Sequence, residues 1–269
     1  MSAKLLLGKP CADTIYEGIT RALKGKSLKL VTVGFDDQHW NQYSSSLLSS
    51  ATKLGIVCQQ LRLDSGISPE EFCNVVKQLS DDADIAGIIV QQPLPKQYSH
   101  VVNFVSVSKD IDCLNPLSIA KLYLGEDGFR PATPQAVLRL IDFYGIDLQG
   151  KNVVIVGRGN AVGKPLALMA LQRNATVTVC HTKTRNLASV CKNADVLISA
   201  CGVAGLITTQ FVTRNTIVID VGLSFVNGKT CGDVADDVYR KCMAVSPVPG
   251  GVGPVTRAVL FENLLNTIK

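Results

Sequence analysis

A chain of 269 residues, 46% apolar and only 18% charged, is long enough for one large or two modest cores and is not a disordered polymer. Its net charge of +5 is not gathered into a basic tract, which argues against nucleic acid and fits an anionic small ligand. No apolar stretch approaches the ~20 residues of a membrane span, the leucine run at Leu5 to Leu7 is too short for a secretory segment, and nine scattered cysteines without C-x-x-C or Cys/His ligand spacing indicate reduced thiols, a cytoplasmic setting and no metal.

Leu28 to Gly34 reads as a strand, Tyr43 to Leu54 as a helix ended by Gly55, and Ile56 to Leu63 as a second strand. Ser68-Pro69-Glu70-Glu71 supplies an N-cap, a proline at the first helical position and a glutamate at the third. Ile85 to Gln91 is a third strand, stopped by Pro93 and Pro95. Strands alternating with helices predict an α/β fold, a parallel sheet covered on both faces. After a hinge within residues 115–140, Thr133-Pro134 caps a helix that runs to about Tyr144. Strands follow at Val153 to Gly157, Thr176 to Cys180, Val196 to Cys201 and Thr216 to Gly222, with a helix from about Val162 to Gln172. A final helix, Pro254 to Ile268, is expected to pack back on the first unit.

The segment Val153-Val-Ile-Val-Gly157-Arg158-Gly159-Asn-Ala-Val-Gly163 is a buried strand, a glycine turn and a helix start, the context of a dinucleotide site. Gly157 permits the tight turn, Gly159 the approach of a pyrophosphate and Gly163 the packing of helix on sheet, while free N–H groups at the helix start hold the phosphates. The spacing G-x-G-x-x-x-G is one residue longer than the usual form, so packing glycines at a plain corner are the alternative. The second strand of this unit ends Cys180-His181-Thr182-Lys183-Thr184 without the acid that reads the ribose hydroxyl of NAD. With Arg158 in the glycine turn, cation and hydroxyl donors favour NADP, held by Gly157, Arg158, Gly159, Gly163, His181 and Thr182; Lys183 is as readily a solvated surface residue.

Gln91 stands at the carboxyl end of a strand, where open α/β sheets bind ligands. Asp110 and Asp112 alternate on one side of an extended segment, and a carboxylate there can accept from paired N–H donors. Pro247 to Gly253 holds too much proline and glycine for helix or strand and forms a shaped loop with exposed backbone groups.

These pieces, in order through nearly the whole chain, resemble the methylenetetrahydrofolate dehydrogenase/cyclohydrolase family. The carriers are Gly87-Ile-Ile-Val-Gln-Gln-Pro-Leu-Pro95, Lys109-Asp-Ile-Asp112, Pro131-Ala-Thr-Pro134, Gly157-Arg158 with Val162-Gly-Lys-Pro165, Ile219-Asp-Val-Gly222, Gly232-Asp-Val234 and Pro247-Val-Pro-Gly-Gly-Val-Gly-Pro254. The resemblance implies two α/β domains flanking a cleft, a homodimer and NADP. It implies a folate-binding catalytic domain of residues 1–135 plus 252–269 and a Rossmann-type domain of 136–251. It also implies a tetrahydrofolate derivative as substrate, with Tyr43 stacked on the pterin, Gln91 handling water and charge, Asp112 as anchor, and Pro247 with Gly251 lining the pocket.

The chain departs from the family where chemistry is done. Tyr43 stands twelve residues before Gly55, so the family's lysine position is Leu47. The loop Phe35 to Gln42 is one residue longer than typical, Trp40 falls where serine is common, and Cys113 replaces a glycine. The leading expectation is therefore an NADP-dependent dehydrogenase that has lost most of its cyclohydrolase activity. Two others stand beside it: full bifunctionality with another group in place of the lysine, and a folate- or NADP-binding protein without turnover.

Overall fold

The structure is a computed structural model that describes residues 2–226 and 228–268, with the backbone alone at residues 38 and 39. In chain order the first half contains β1 (Lys4–Leu5), α1 (Gly8–Ala22), β2 (Lys29–Phe35), α2 (Gln38–Leu54), β3 (Val57–Leu63), α3 (Pro69–Asp81), β4 (Gly87–Val90), α4 (Pro116–Leu124) and α5 (Ala132–Phe143). The second half contains β5 (Asn152–Val156), α6 (Gly163–Leu171), β6 (Thr176–Cys180), α7 (Leu187–Lys192), β7 (Val196–Ser199), β8 (Ile217–Asp220), β9 (Ser224–Val226), β10 (Lys229–Cys231), β11 (Ala244–Ser246) and α8 (Val252–Asn266). Two compact units result: Met1–Thr14 with Thr133–Val259, and Ile15–Ala132 with Leu260–Lys269. Among the described residues no helix is long and apolar enough to cross a membrane.

The unit of residues 15–132 and 260–269 is built on a three-stranded parallel sheet in the order β3-β2-β4. β4 is buried throughout, as a strand covered on both faces must be. Val31, Val33, Ile88, Phe72, Val76 and Tyr98 form its main core. The capping box read from the sequence is present on α3: Ser68 Oγ accepts from Glu71 N–H at 3.2 Å and the Glu71 carboxylate accepts from Ser68 N–H at 2.9 Å. Ser68→Ala should cost about 1 kcal/mol, seen as a lower urea midpoint with an unchanged slope; an unmoved midpoint would show that the cap adds nothing. The end of α8 belongs to this unit, because Asn263 Nδ2 donates to Ile111 O at 2.8 Å and to Arg130 O at 3.2 Å.

The other unit carries a six-stranded sheet in the order β1-β11-β8-β7-β5-β6, every pair parallel. Residues 1–14, expected with the substrate domain, lie here because β1 pairs with β11 and Gly8 N–H donates to Gly250 O at 2.8 Å. α8 is divided too: residues 252–259 group with this unit and the remainder with the other. From β5 the chain runs through α6 to β6 on one side, then through α7 to β7 on the opposite side of β5. The direction of winding therefore reverses between β5 and β7.

Three helix starts differ from the expectation. α2 begins at Gln38 and not Tyr43, since Asp37 in extended conformation accepts from Trp40 N–H at 2.9 Å; His39, expected in a loop, lies within this helix. α5 begins at Ala132, with Pro134 inside its first turn, where a missing N–H costs nothing. α8 likewise begins at Val252, so that Gly253 and Pro254 sit in its first turn.

Candidate active site

The point where winding reverses is where parallel sheets bind ligands. β5 delivers Gly157 there with φ of 123°, and the Ala200 carbonyl of the turn after β7 fills the space a Cβ would need. Gly163 opens α6 with Gly157 O in its own Cβ position and Arg158 Cα at 3.0 Å from it. Both glycines are thus required by close backbone packing. Gly159 has open space around it, and it and Arg158 are exposed, so a phosphate group can reach this turn. The helix start is poorer in donors than expected: Lys164 N–H already bonds Gly159 O at 3.1 Å, and Pro165 has no N–H.

After β6 the chain closes a tight turn. His181 N–H donates to Thr184 Oγ1 at 2.9 Å, Thr184 N–H to His181 O at 2.8 Å, and Lys183 N–H to His181 Nδ1 at 3.1 Å. Thr182, Lys183 and Arg185 are exposed and no acid lies among residues 181–185. Arg185, which the sequence reading passed over, adds a cation to this turn. A flat glycine turn, hydroxyls and exposed cations fit a dinucleotide with a phosphate on its ribose.

In the other unit Gln91 follows β4. Its Oε1 accepts from Phe35 N–H at 2.6 Å, which sets the orientation of the amide, with NH2 as its donor end. Gly34 leaves the room for this: a Cβ on it would come within 2.6 Å of both Gln91 Oε1 and Trp40 Nε1. Trp40 is buried and its ring lies 5.8 Å from that of Tyr43, tilted by 37°. The structure therefore groups Tyr43, Trp40 and Gln91, and of these Trp40 was noted in the sequence only as an oddity. Leu47, one turn along α2 from Tyr43, has no exposed surface at all.

Asp110 and Asp112, read as a pair, do different work. Asp110 is buried and accepts from Leu114 N–H at 2.9 Å and Asn115 N–H at 2.8 Å, and so closes a turn. A parallel bridge from Asp110 to Ile88 lays this segment beside β4. Asp112 keeps partial exposure. Burial, and then the charge of Asp110, push its carboxyl up to about 7 against the opposing bond from Ala132 N–H. Cys113 follows with φ of 56°, the left-handed conformation for which a glycine is the natural occupant.

The loop at 247–254 is more closed than expected. Gly251 is buried, its N–H donates to Pro247 O at 2.7 Å, and a Cβ on Gly8 would strike its carbonyl. Close packing thus accounts for Gly251, while Pro247 retains surface to offer a ligand.

Two family models match the chain in order: the catalytic domain of tetrahydrofolate dehydrogenase/cyclohydrolase over residues 6–112 and its NAD(P)-binding domain over 131–269. The bifunctional protein FolD of Clostridium perfringens is 44% identical over 97% of this chain and 98% of its own. Among solved structures, the bifunctional FolD of Campylobacter jejuni has a TM-score of 0.93 at 36% identity, covering 99% of this chain and 98% of that one. The Trypanosoma brucei methylenetetrahydrofolate dehydrogenase-cyclohydrolase, solved with NADP cofactor and inhibitor, has a TM-score of 0.91 at 30% identity, covering 99% and 97%. With two α/β units, a glycine turn at the reversal of the sheet and both family domains in sequence, this chain belongs to the tetrahydrofolate dehydrogenase/cyclohydrolase family.

Proposed function

We propose that the chain is a bifunctional one-carbon enzyme that oxidises 5,10-methylenetetrahydrofolate with NADP and hydrolyses the methenyl product to 10-formyltetrahydrofolate. The observation that carries the first step is the glycine turn packed on Ala200 at the reversal point, with exposed Arg158 beside it. Bound NADP supplies an acceptor for the hydride of the methylene carbon. Gly157, Arg158, Gly159, Gly163, His181 and Thr182 are the residues that hold it. This step needs orientation above all. Tyr43 offers its ring to the pterin, Gln91 a directed N–H donor, and Asp112 a carboxylate for the N–H groups of the pterin edge.

For the second step the naming of the relatives supports bifunctionality better than the loss of cyclohydrolase expected from Leu47. Leu47 is nonetheless the observation that favours the narrower reading, since a fully buried leucine can neither move a proton nor bond to water. The decisive test supplies methylenetetrahydrofolate and NADP together and follows NADPH, methenyl and formyl products separately. Failure to form NADPH would refute the oxidative step, and methenyl product that accumulates without formyl product would refute the hydrolytic one.

A homodimer and a cytoplasmic location complete the proposal. β6 is the outer strand of its sheet with Val179 exposed on it, an open edge that a second copy can pair with. All nine cysteines are free thiols, which suits a reducing compartment.

Asp112 gives a pH prediction. Its folded carboxyl titrates near 7, so the carboxylate that accepts two N–H donors is present above that pH and lost below it. The KM for the folate should rise as pH falls through about 7 while that for NADP stays flat, and Asp112→Asn should abolish the dependence. The sign for stability is the reverse of a salt-bridged acid. A raised folded value means that the contribution is fully present below the ordinary carboxyl range and is lost as pH rises through about 7. Asp112→Asn should therefore be more stable than the parent protein at pH ~8, with the gap closing near pH ~4. A pH-independent folate KM in the parent protein would return Asp112 to a structural role.

A further inference from the structure

Beneath the turn that meets Gly157 lie two buried carboxylates that neither step of the reaction uses. Asp233, with no exposed surface, accepts at Oδ2 from Ser199 Oγ at 2.8 Å, Cys201 N–H at 2.9 Å and Cys201 Sγ at 3.2 Å, and at Oδ1 from Val203 N–H at 2.7 Å. All four donors belong to residues 199–203, the turn that leaves β7 and supplies the Ala200 carbonyl under Gly157. Asp233 is held from behind by Asp220, at the end of β8. Asp220 accepts from Asp233 N–H at 3.0 Å, Val234 N–H at 3.0 Å and Gly222 N–H at 2.9 Å, and its own N–H donates to Ser246 Oγ on β11 at 2.8 Å.

The glycines around this pair are there to admit it. A Cβ on Gly222 would overlap the Asp233 carboxylate, and one on Gly232 would overlap that of Asp220. Burying two carboxylates a few bonds apart is costly, and a plain sheet corner can be closed with backbone hydrogen bonds alone. What the arrangement adds is direction: β8 and β11 hold Asp220, Asp220 holds the Gly232-Asp233-Val234 segment, and Asp233 draws the 199–203 turn to one place. Ala200, within that turn, donates its N–H to Val156 O at 2.8 Å and lays its carbonyl against Gly157, so the place of this turn sets one wall of the Gly157 loop.

We propose that Asp233 is a positioning residue for the dinucleotide, fixing through Ser199, Cys201 and Val203 the turn on which the Gly157 loop rests. The inference rests on the cofactor site described above. Since it concerns the shape of the loop and not the ribose phosphate, it predicts equal effects on NADP and NAD.

The experiment measures the dissociation constants of NADP and NAD and the KM of the folate for the intact protein, for Asp233→Asn, and for Ser199→Ala with Cys201→Ala. Asparagine turns one accepting atom into a donor that faces N–H groups. The double variant removes two donors and leaves Asp233 in place, so it answers the question if Asp233→Asn fails to fold. Both nucleotides should weaken together by roughly tenfold, the size of one lost hydrogen bond to a charged group, with folate KM within about twofold. Restoring Ser199 alone in the double variant should recover part of the loss. Nucleotide constants within about twofold of the parent, or nucleotide and folate constants rising by the same factor, would overturn the positioning role. A parent protein that binds neither nucleotide would overturn the cofactor reading and this inference with it. Binding by the parent with unshifted variants removes this inference alone.

Discussion

Methenyltetrahydrofolate supplied directly should decay faster with the protein than without it, but by a factor smaller than the ~10²–10⁴ that a positioned acid or base typically adds. The reason is Leu47. Hydride transfer needs no proton at that position, whereas addition of water to the methenyl cation neutralises the cation and releases a proton that a polar group must take up. Positions one helical turn away are Tyr43, Ser44, Ser50 and Ala51, so no lysine on this helix face takes over. What remains is the Gln91 amide, aimed by its bond to Phe35 N–H, and the Asp112 carboxyl, which titrates near 7. Gln91→Glu is the informative variant. It keeps an oxygen for Phe35 N–H and removes the N–H donor, so the remaining hydrolysis should fall to the spontaneous rate. Leu47→Lys should not be a simple rescue, because the position has no exposure and the variant would have to bury an ammonium. Decay at the spontaneous rate in the parent protein would remove the hydrolytic half of the proposed function. Acceleration beyond ~10⁴ would show that position 47 is irrelevant to it.

How much of this was legible depends on the range of the interaction. Val153 to Val156 reads as a strand because a parallel sheet covered on both faces needs an unbroken apolar run, and the glycine turn reads because its spacing is local. The Ser68 cap reads for the same reason. β1 does not, since two residues carry no period and its partner β11 lies about 240 positions later in the chain. This pairing is what moves the N-terminus into the dinucleotide unit. The start of α2 is hidden because its cap, Asp37, is as ordinary in a loop as at a helix start. Asp110 and Asp112 looked equivalent by spacing, and only burial separates a turn-closing acid from one with a free face. Asp233 was seen only as part of a motif, because all its side-chain partners lie about 30 residues away.

Arg158→Ala should erase most of the preference for NADP over NAD. A charge-assisted contact between a guanidinium and a phosphate is worth roughly 1.5–3 kcal/mol, which corresponds to a loss of about 10- to 150-fold in NADP affinity. Arg158 is exposed, so solvent and salt screen the contact, and the lower end of that range is the fair expectation at physiological ionic strength. NAD has no phosphate on that ribose and should bind the variant as it binds the parent. Arg158→Lys should recover only part of the loss, since an ammonium keeps the charge but not the bidentate fork. The turn after β6 supplies the competing assignment, because Lys183 and Arg185 are also exposed cations and no acid lies among residues 181–185. If they carry the phosphate, Arg158→Ala will weaken both nucleotides alike through the glycine turn, while a Lys183→Ala/Arg185→Ala variant will lose NADP selectively. Measuring both nucleotides on both variants at two salt concentrations assigns the phosphate to one turn or the other. The residue that reads it must lose discrimination and salt dependence together.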